Sequence, residues 1–421
     1  MRFLYSVAWW LALPLVLGRL WWRGRKEPGY RQHMAERFGF YGVRATNMPL
    51  IWVHAVSVGE TRAAEPLIDA LLRAYPAHGI LLTHMTATGR ETGRALFGKY
   101  GARVVQSFLP YDTGWMVGRF LRHFAPRLCV LMETEVWPNV MAQCARHGVP
   151  VVLANARLSQ RSLAKARRLS ALMMEAARRL TCVAAQTEAD AVRIRQLGAP
   201  DVQVTGSIKF DVTPPSQMIA QGAMLRARIG PRKVLLCAST REGEETLILD
   251  ALGGIDLGNS MVVIVPRHPQ RFDEVASMIE SRGYTLQRRS ALGDKVVAPA
   301  VQILLGDSMG EMFAYYEACD VAFIGGSLLP LGGQNLIEAC AVGKPVLIGP
   351  HTFNFSTVSD DAIEAGAARR VNDAQAMIDG ACKLLRDDSE RMRMGQQALA
   401  FARQHRGATA RTMALLGPLI R

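Results

Sequence analysis

The sequence predicts an α/β protein of two parallel-sheet domains facing each other across a cleft, preceded by an apolar anchor helix. Three observations carry this expectation. Short apolar, partly β-branched runs alternate with segments of helical spacing on both sides of a polar stretch, Lys209 to Gln217, that holds two prolines. Such alternation builds parallel, doubly wound sheets. The 421 residues exceed one ordinary domain, and 49% hydrophobic with 20% charged residues is enough for more than one core. Finally, an apolar run from Phe3 to Leu17 precedes everything else and is followed by Arg19, Arg23, Arg25 and Lys26.

That first run is short of the roughly 20 apolar residues of a comfortable crossing. With Trp9, Trp10, Trp21 and Trp22 among the arginines, it suits either a signal-anchor or an interfacial helix. A cleaved signal peptide fits less well, because the basic residues follow the apolar run and no A-x-A site succeeds it. Residues 1–26 are therefore an anchor with a basic flank, and the positive-inside rule keeps the remainder on the cytoplasmic side. The stretch from Gly29 to Gly42 reads as a basic connector lying near the membrane.

Residues 27–208 form the first Rossmann-like domain. Its candidate strands are Leu50 to Val56, Ile80 to His84, Val104 to Phe108, Leu128 to Met132, Val149 to Leu153, Cys182 to Ala185 and Val202 to Val204. Residues 209–217 are the linker. Residues 218–405 repeat the theme, with strands at Val234 to Ala238, Met261 to Val265, Val301 to Leu305, Val321 to Ile324 and Pro345 to Ile348. In residues 406–421 the apolar Met413 to Ile420 is expected to pack back across the domain junction.

A net charge of +14 and a pI near 9.8 call for an anionic partner. Nucleic acid is not that partner, since neither an aromatic-interleaved basic platform nor a helix-turn-helix is found. The seven cysteines are scattered in apolar surroundings without a C-x-x-C pair, which indicates buried thiols rather than disulfides or zinc ligands.

Leu50 to Leu72 is the best-marked unit: a buried strand, a break at Ser57 and Gly59, then apolar positions at helical spacing. Ligands bind at that edge of open α/β sheets. Glu60 thus stands where a helix N-terminus points its free N–H groups, and it should stay ionised. Two roles fit it: capping-box partner of Ser57, or general base. In the second half, Pro266 and Arg267 directly follow a strand, so the guanidinium is placed to hold a phosphate or carboxylate. The amides of Met309, Gly310 and Glu311, in GDSMGE, open a helix and would cradle a phosphate, although Ser308 and Glu311 equally suit a cap. GGSLLPLGGQNLIE brings two glycine pairs before a helix started by Asn335, with Glu338 placed to accept from ribose hydroxyls.

Taken together, HAVSVGE (54–60), METEVWPN (132–139), ANARLS (154–159), TGSIKFD (205–211), PRHPQRF (266–272), GDSMGE (306–311), GGSLLPLGGQN (325–335) and GPHTFNF (349–355) closely resemble the bacterial 3-deoxy-D-manno-octulosonic acid (Kdo) transferases of lipopolysaccharide core assembly. The resemblance runs colinearly from the anchor to the last helix. It implies a GT-B glycosyltransferase on the cytoplasmic side of the inner membrane. The donor would be CMP-Kdo and the acceptor a lipid A precursor on an anionic membrane surface, with no cofactor and no metal. By motif, Glu60 matches the general base that deprotonates the acceptor 6′-hydroxyl, and inversion follows from direct displacement. Glu133 and Lys209 match positions of transition-state stabilisation. Pro266, Arg267, Met309, Gly310, Glu311, Asn335, Leu336, Ile337 and Glu338 match the CMP-binding segments; Leu336 departs from relatives that carry Pro there. The alternative weighed against this is another two-domain nucleotide-sugar enzyme, a UDP-sugar epimerase or UDP-sugar transferase.

Overall fold

The computed structural model describes residues 2–420 apart from 26, 44, 45, 169, 254, 256 and 257. Lys26 of the basic flank lies outside the described residues, as do the side chains of Arg167 and Arg168. The chain folds as two compact units, residues 1–211 with 407–421, and residues 212–406.

In the first unit seven strands form one parallel sheet: β1 (Leu50–His54), β2 (Gly79–His84), β3 (Val104–Phe108), β4 (Leu128–Met132), β5 (Val151–Ala156), β6 (Cys182–Ala185) and β7 (Asp201–Val204). Their order is β3-β2-β1-β4-β5-β6-β7, so the winding reverses between β1 and β4. All five residues of β1 and all five of β4 are buried, as expected of strands with helices on both faces. One face packs around Trp52, Phe120, Leu131 and Val183, the other around Val53, Ile68, Leu71 and Val130. The helix Ala408–Leu416 completes that second face against the helix Glu65–Ala74.

The second unit repeats the plan with β8 (Lys233–Thr240), β9 (Ser260–Pro266), β10 (Leu286–Arg288), β11 (Ile303–Leu305), β12 (Val321–Ile324), β13 (Val346–Ile348) and β14 (Ala368–Arg370). They are ordered β10-β11-β9-β8-β12-β13-β14 and are all parallel. Here the winding reverses between β8 and β12. Leu235, Ile264, Phe323 and Leu347 carry the core on one face.

The apolar run at the start becomes a 22-residue helix, Arg2–Arg23, the one helix among the described residues long and apolar enough to cross a membrane. Trp9, Leu13, Val16 and Leu20 pack with Tyr111, Met116 and Phe38 of the first unit. Asn139 Nδ2 also donates to Ser6 Oγ at 3.0 Å. The opposite face leaves Phe3, Leu4, Leu11, Leu15, Trp21 and Trp22 exposed. Downstream, the supposed surface connector differs from expectation at Arg37. Its guanidinium is buried, donates to the Met85 carbonyl and lies over the Phe108 ring, 3.8 Å from the centroid.

Candidate active site

The C-terminal ends of β1 and β4 flank the reversal point of the first sheet, where such folds place their ligands. After β1, Ser57 caps the helix Val58–Ala63 by accepting from the Glu60 amide. The Glu60 carboxylate reaches back. Oε2 accepts from the Val56 amide at 2.8 Å and Oε1 from the Ser57 hydroxyl at 3.0 Å. This is a capping arrangement, yet the side chain remains only half-buried and open to a ligand. Burial raises its pKa, opposed by the Val56 and Ser57 hydrogen bonds, while nearby Glu133 pushes it up and Lys209 down. At this helix start desolvation thus outweighs the favourable donors and holds the carboxyl above the ordinary glutamate range.

Glu133 follows β4 directly, with φ +60°, a left-handed conformation that costs a non-glycine residue energy and is most often kept at functional sites. Its carboxylate is buried between Lys209 Nζ, 2.6 Å from Oε1, and Arg157 Nε, 3.0 Å from Oε2. Lys209 is set there by Asn155. That residue, also left-handed at φ +52° in an irregular stretch of β5, accepts from the Ile208 amide at 3.0 Å and the Ser207 hydroxyl at 3.3 Å. Three motifs far apart in the chain thus meet in one ion cluster.

Sequence reasoning placed two further acids in loops after strands and gave them no role. Glu135, two residues past Glu133, is pushed up to about 7 by burial and then by the charge of Glu60. The signal was present in METE, where the second acid shares the first one's loop. Asp112 accepts from the amides of Asn139 and Val140 at 3.1 and 2.8 Å and so caps the helix Pro138–Arg146. Burial brings it to about 6 against those bonds.

In the second unit the corresponding edge is shaped by a residue that sequence reasoning missed. Glu244 is fully buried, and its carboxylate accepts from the amides of Gly326 at 2.6 Å, Leu328 at 2.9 Å and Arg241 at 2.9 Å. The loop after β12 is thereby tied to the loop after β8. Glycine is required at 325, because a Cβ there would lie 2.5 Å from the Ser239 carbonyl oxygen. Pro266 ends β9. The Arg267 amide donates to the Thr240 carbonyl at 2.9 Å and its side chain is exposed.

The helix starts differ from expectation. Asn335 does not begin its helix, which runs Ile337–Ala341; its Oδ1 instead accepts from the Ile337 amide at 3.1 Å. Leu336 and Ile337 are buried, so only their backbone is offered to a ligand. Glu338 is raised by burial and lowered by Arg267 and Asn335, which places those three groups together. Met309, Gly310 and Glu311 likewise precede their helix, Met312–Ala318, because Gly310 turns left-handed at φ +80°. The Glu311 carboxylate pairs with Arg289 at 3.1 Å and accepts from Ser308, and Met309 is exposed.

A family model described as 3-deoxy-D-manno-octulosonic-acid transferase matches residues 32–212, and one for glycosyl transferases group 1 matches residues 290–401. A 3-deoxy-D-manno-octulosonic acid transferase of Bordetella pertussis is 46% identical over 98% of each chain. The chain belongs to the Kdo transferase family. A second member, from Haemophilus influenzae, is 35% identical over 100% of this chain and 99% of its own. Among solved structures, Acinetobacter baumannii MurG superposes with a TM-score of 0.55 at 12% identity, covering 88% of this Kdo transferase and 99% of that chain. A Neisseria meningitidis UDP-GlcNAc 2-epimerase bound to UDP-GlcNAc gives 0.55 at 16% identity, covering 88% and 100%. At those identities the likeness is one of fold, and that fold is the GT-B type.

Proposed function

We propose that the chain transfers Kdo from CMP-Kdo to the 6′-hydroxyl of a lipid A precursor, with inversion and without a metal ion, in lipopolysaccharide inner-core synthesis. The observation that carries this is the half-buried Glu60 carboxylate at the reversal point of the first sheet, within electrostatic reach of the Glu133–Lys209 pair. Burial makes Glu60 a stronger base than an exposed glutamate, and its position at an edge leaves it open to an alcohol. As the acceptor oxygen bonds to the anomeric carbon, its proton passes to Glu60. The carbon–oxygen bond to phosphate breaks and its electron pair leaves with CMP.

Positive charge then develops on the sugar ring and negative charge on the departing phosphate. Glu133 answers the first and Lys209 the second or the Kdo carboxylate. The first unit takes the acceptor. In the second, Arg267 and the amides of Met309, Gly310 and Glu311 hold the nucleotide phosphate. Glu338 and Asn335 take the ribose, with Pro266, Leu336 and Ile337 contributing backbone. In this reading the leaving monophosphate is served by Arg267 and these amides. The exposed apolar face of the helix Arg2–Arg23 and its flanking arginines suit the cytoplasmic surface of the inner membrane, where a lipid acceptor resides.

The test is incubation of the purified chain with CMP-Kdo and tetra-acylated lipid A precursor, with products read by mass spectrometry. The expected result is acceptor gaining Kdo, with loss of product in Glu60→Gln while CMP binding by calorimetry persists. Preference for UDP over CMP would overturn the assignment in favour of a UDP-sugar enzyme.

A further inference from the structure

The first unit has a cavity of about 380 Å³ whose lining includes Glu133 and whose apolar part the transfer chemistry leaves unused. Its floor is apolar and fully inside the fold: Leu153, Leu180 and Ile194 are each at most 4% exposed. Leu158, Ala166 and Met173, all half-buried, line it nearer the surface. The rim has the opposite character. Arg157, paired with Glu133 and with a side chain 58% exposed, and the exposed Lys165 stand at its mouth. The volume is that of a small-molecule site. A sugar or nucleotide, polar throughout, would lose its hydration over that floor without recovering hydrogen bonds. A hydrocarbon tail on an anionic head matches both the floor and the rim, because apolar burial and charge pairing then act on the same molecule.

We propose that this cavity takes a fatty acyl chain of the acceptor, with an acceptor phosphate at Arg157 and Lys165. The sugar hydroxyls are thereby held near Glu133. This rests on the assignment of an acylated, phosphorylated glycolipid as acceptor and adds where its tail binds. Acyl recognition then belongs to the acceptor half of the enzyme rather than to the bilayer alone.

The experiment compares kcat/KM for the tetra-acylated acceptor and for its fully deacylated counterpart, in the wild-type chain and in Ala166→Trp, whose indole fills the cavity. The acylated-to-deacylated ratio is expected to fall at least tenfold in the variant. In parallel, the full chain is titrated with cis-parinaric acid, whose fluorescence should saturate with wild type and require at least tenfold more chain with Ala166→Trp. Should Ala166→Trp fail to fold, Leu158→Asn at its half-exposed site reads the same ratio and the same titration. An unchanged ratio overturns the proposal, even if the fatty acid binds. If wild type transfers Kdo to neither acceptor, the functional assignment fails, and the fatty acid titration alone decides whether the cavity is an acyl site.

Discussion

Replacing Glu244 with alanine takes the shared acceptor from three backbone amides at once. Gly326, Leu328 and Arg241 donate to it at 2.6, 2.9 and 2.9 Å, inside the protein. Each donor left unpaired in the interior costs about 1–3 kcal/mol. Two effects oppose the sum: the variant no longer buries a carboxylate whose pKa is raised by desolvation, and water can enter the vacated space. A net loss of about 3–4 kcal/mol is expected, which at about 2–4 °C per kcal/mol lowers the melting temperature of the second unit by about 10 °C. Glu244→Gln keeps the volume and one carbonyl oxygen but turns an NH₂ toward an amide, so about half that loss should remain. The same clamp sets the loop leading to Asn335 and Glu338, and CMP affinity should fall about tenfold. Thermal unfolding by circular dichroism and a CMP titration by calorimetry read both effects. A Glu244→Ala chain that melts and binds CMP like wild type would refute the reasoning.

Four further outcomes follow from the geometry. Glu60→Gln should lower kcat by about 10²–10⁴, the usual share of a general base, with CMP affinity unchanged, as single-turnover assays would show. Because burial holds the Glu60 carboxyl above the ordinary range and the base must be ionised, kcat should fall with acid at a pH above the usual glutamate value. In Glu133→Gln that acid limb should move to lower pH, since Glu133 contributes to the rise. Glu135, at about 7 in the fold against 4.5 as an ordinary glutamate, stabilises the protein fully below pH 4.5 and loses that contribution as pH rises through 7. Glu135→Gln should therefore be more stable than wild type by at most about 3 kcal/mol at pH 9 and equal to it below 4.5, in urea titrations across pH. Arg267→Ala should weaken CMP binding about 10–100-fold and flatten its salt dependence.

Much of the fold was legible because the central strands are covered on both faces, which forces continuous apolar runs such as Leu50–His54 and Leu128–Met132. Leu286–Arg288 and Ala368–Arg370 escaped, being three-residue edge strands with polar positions that leave no periodic signal. Helix starts at Met309 and Asn335 were read too early, because left-handed Gly310 and the Asn335 side-chain turn hold those segments outside the helix. Arg37 fell within the expected basic connector, and Glu244 drew no reading. Their partners, the Met85 carbonyl and amides of the loop after β12, lie far away in the chain and carry no local mark. For Glu60 local patterning allowed both a cap and a base, and the carboxylate indeed bonds Ser57 and Val56. Glu133, Lys209 and Arg157 came from motif likeness and spatial assembly respectively, since no periodicity relates them.

Ala408 and Leu416 share an apolar cluster with Ile68 and Leu71, and the Asp211 carboxylate accepts from the amides of Gly407 and Thr409 at 2.9 and 2.7 Å. During synthesis the first sheet is complete long before the residues that roof its second face. At about 5–20 residues per second, the interval in which the whole second unit is translated is on the order of 10–40 s. Throughout that time a nascent chain shows a greasy gap over the helix Glu65–Ala74. A polypeptide cut short of residue 407 would keep its later-made unit whole and leave its earlier-made one unsealed, a ready substrate for chaperones and proteases.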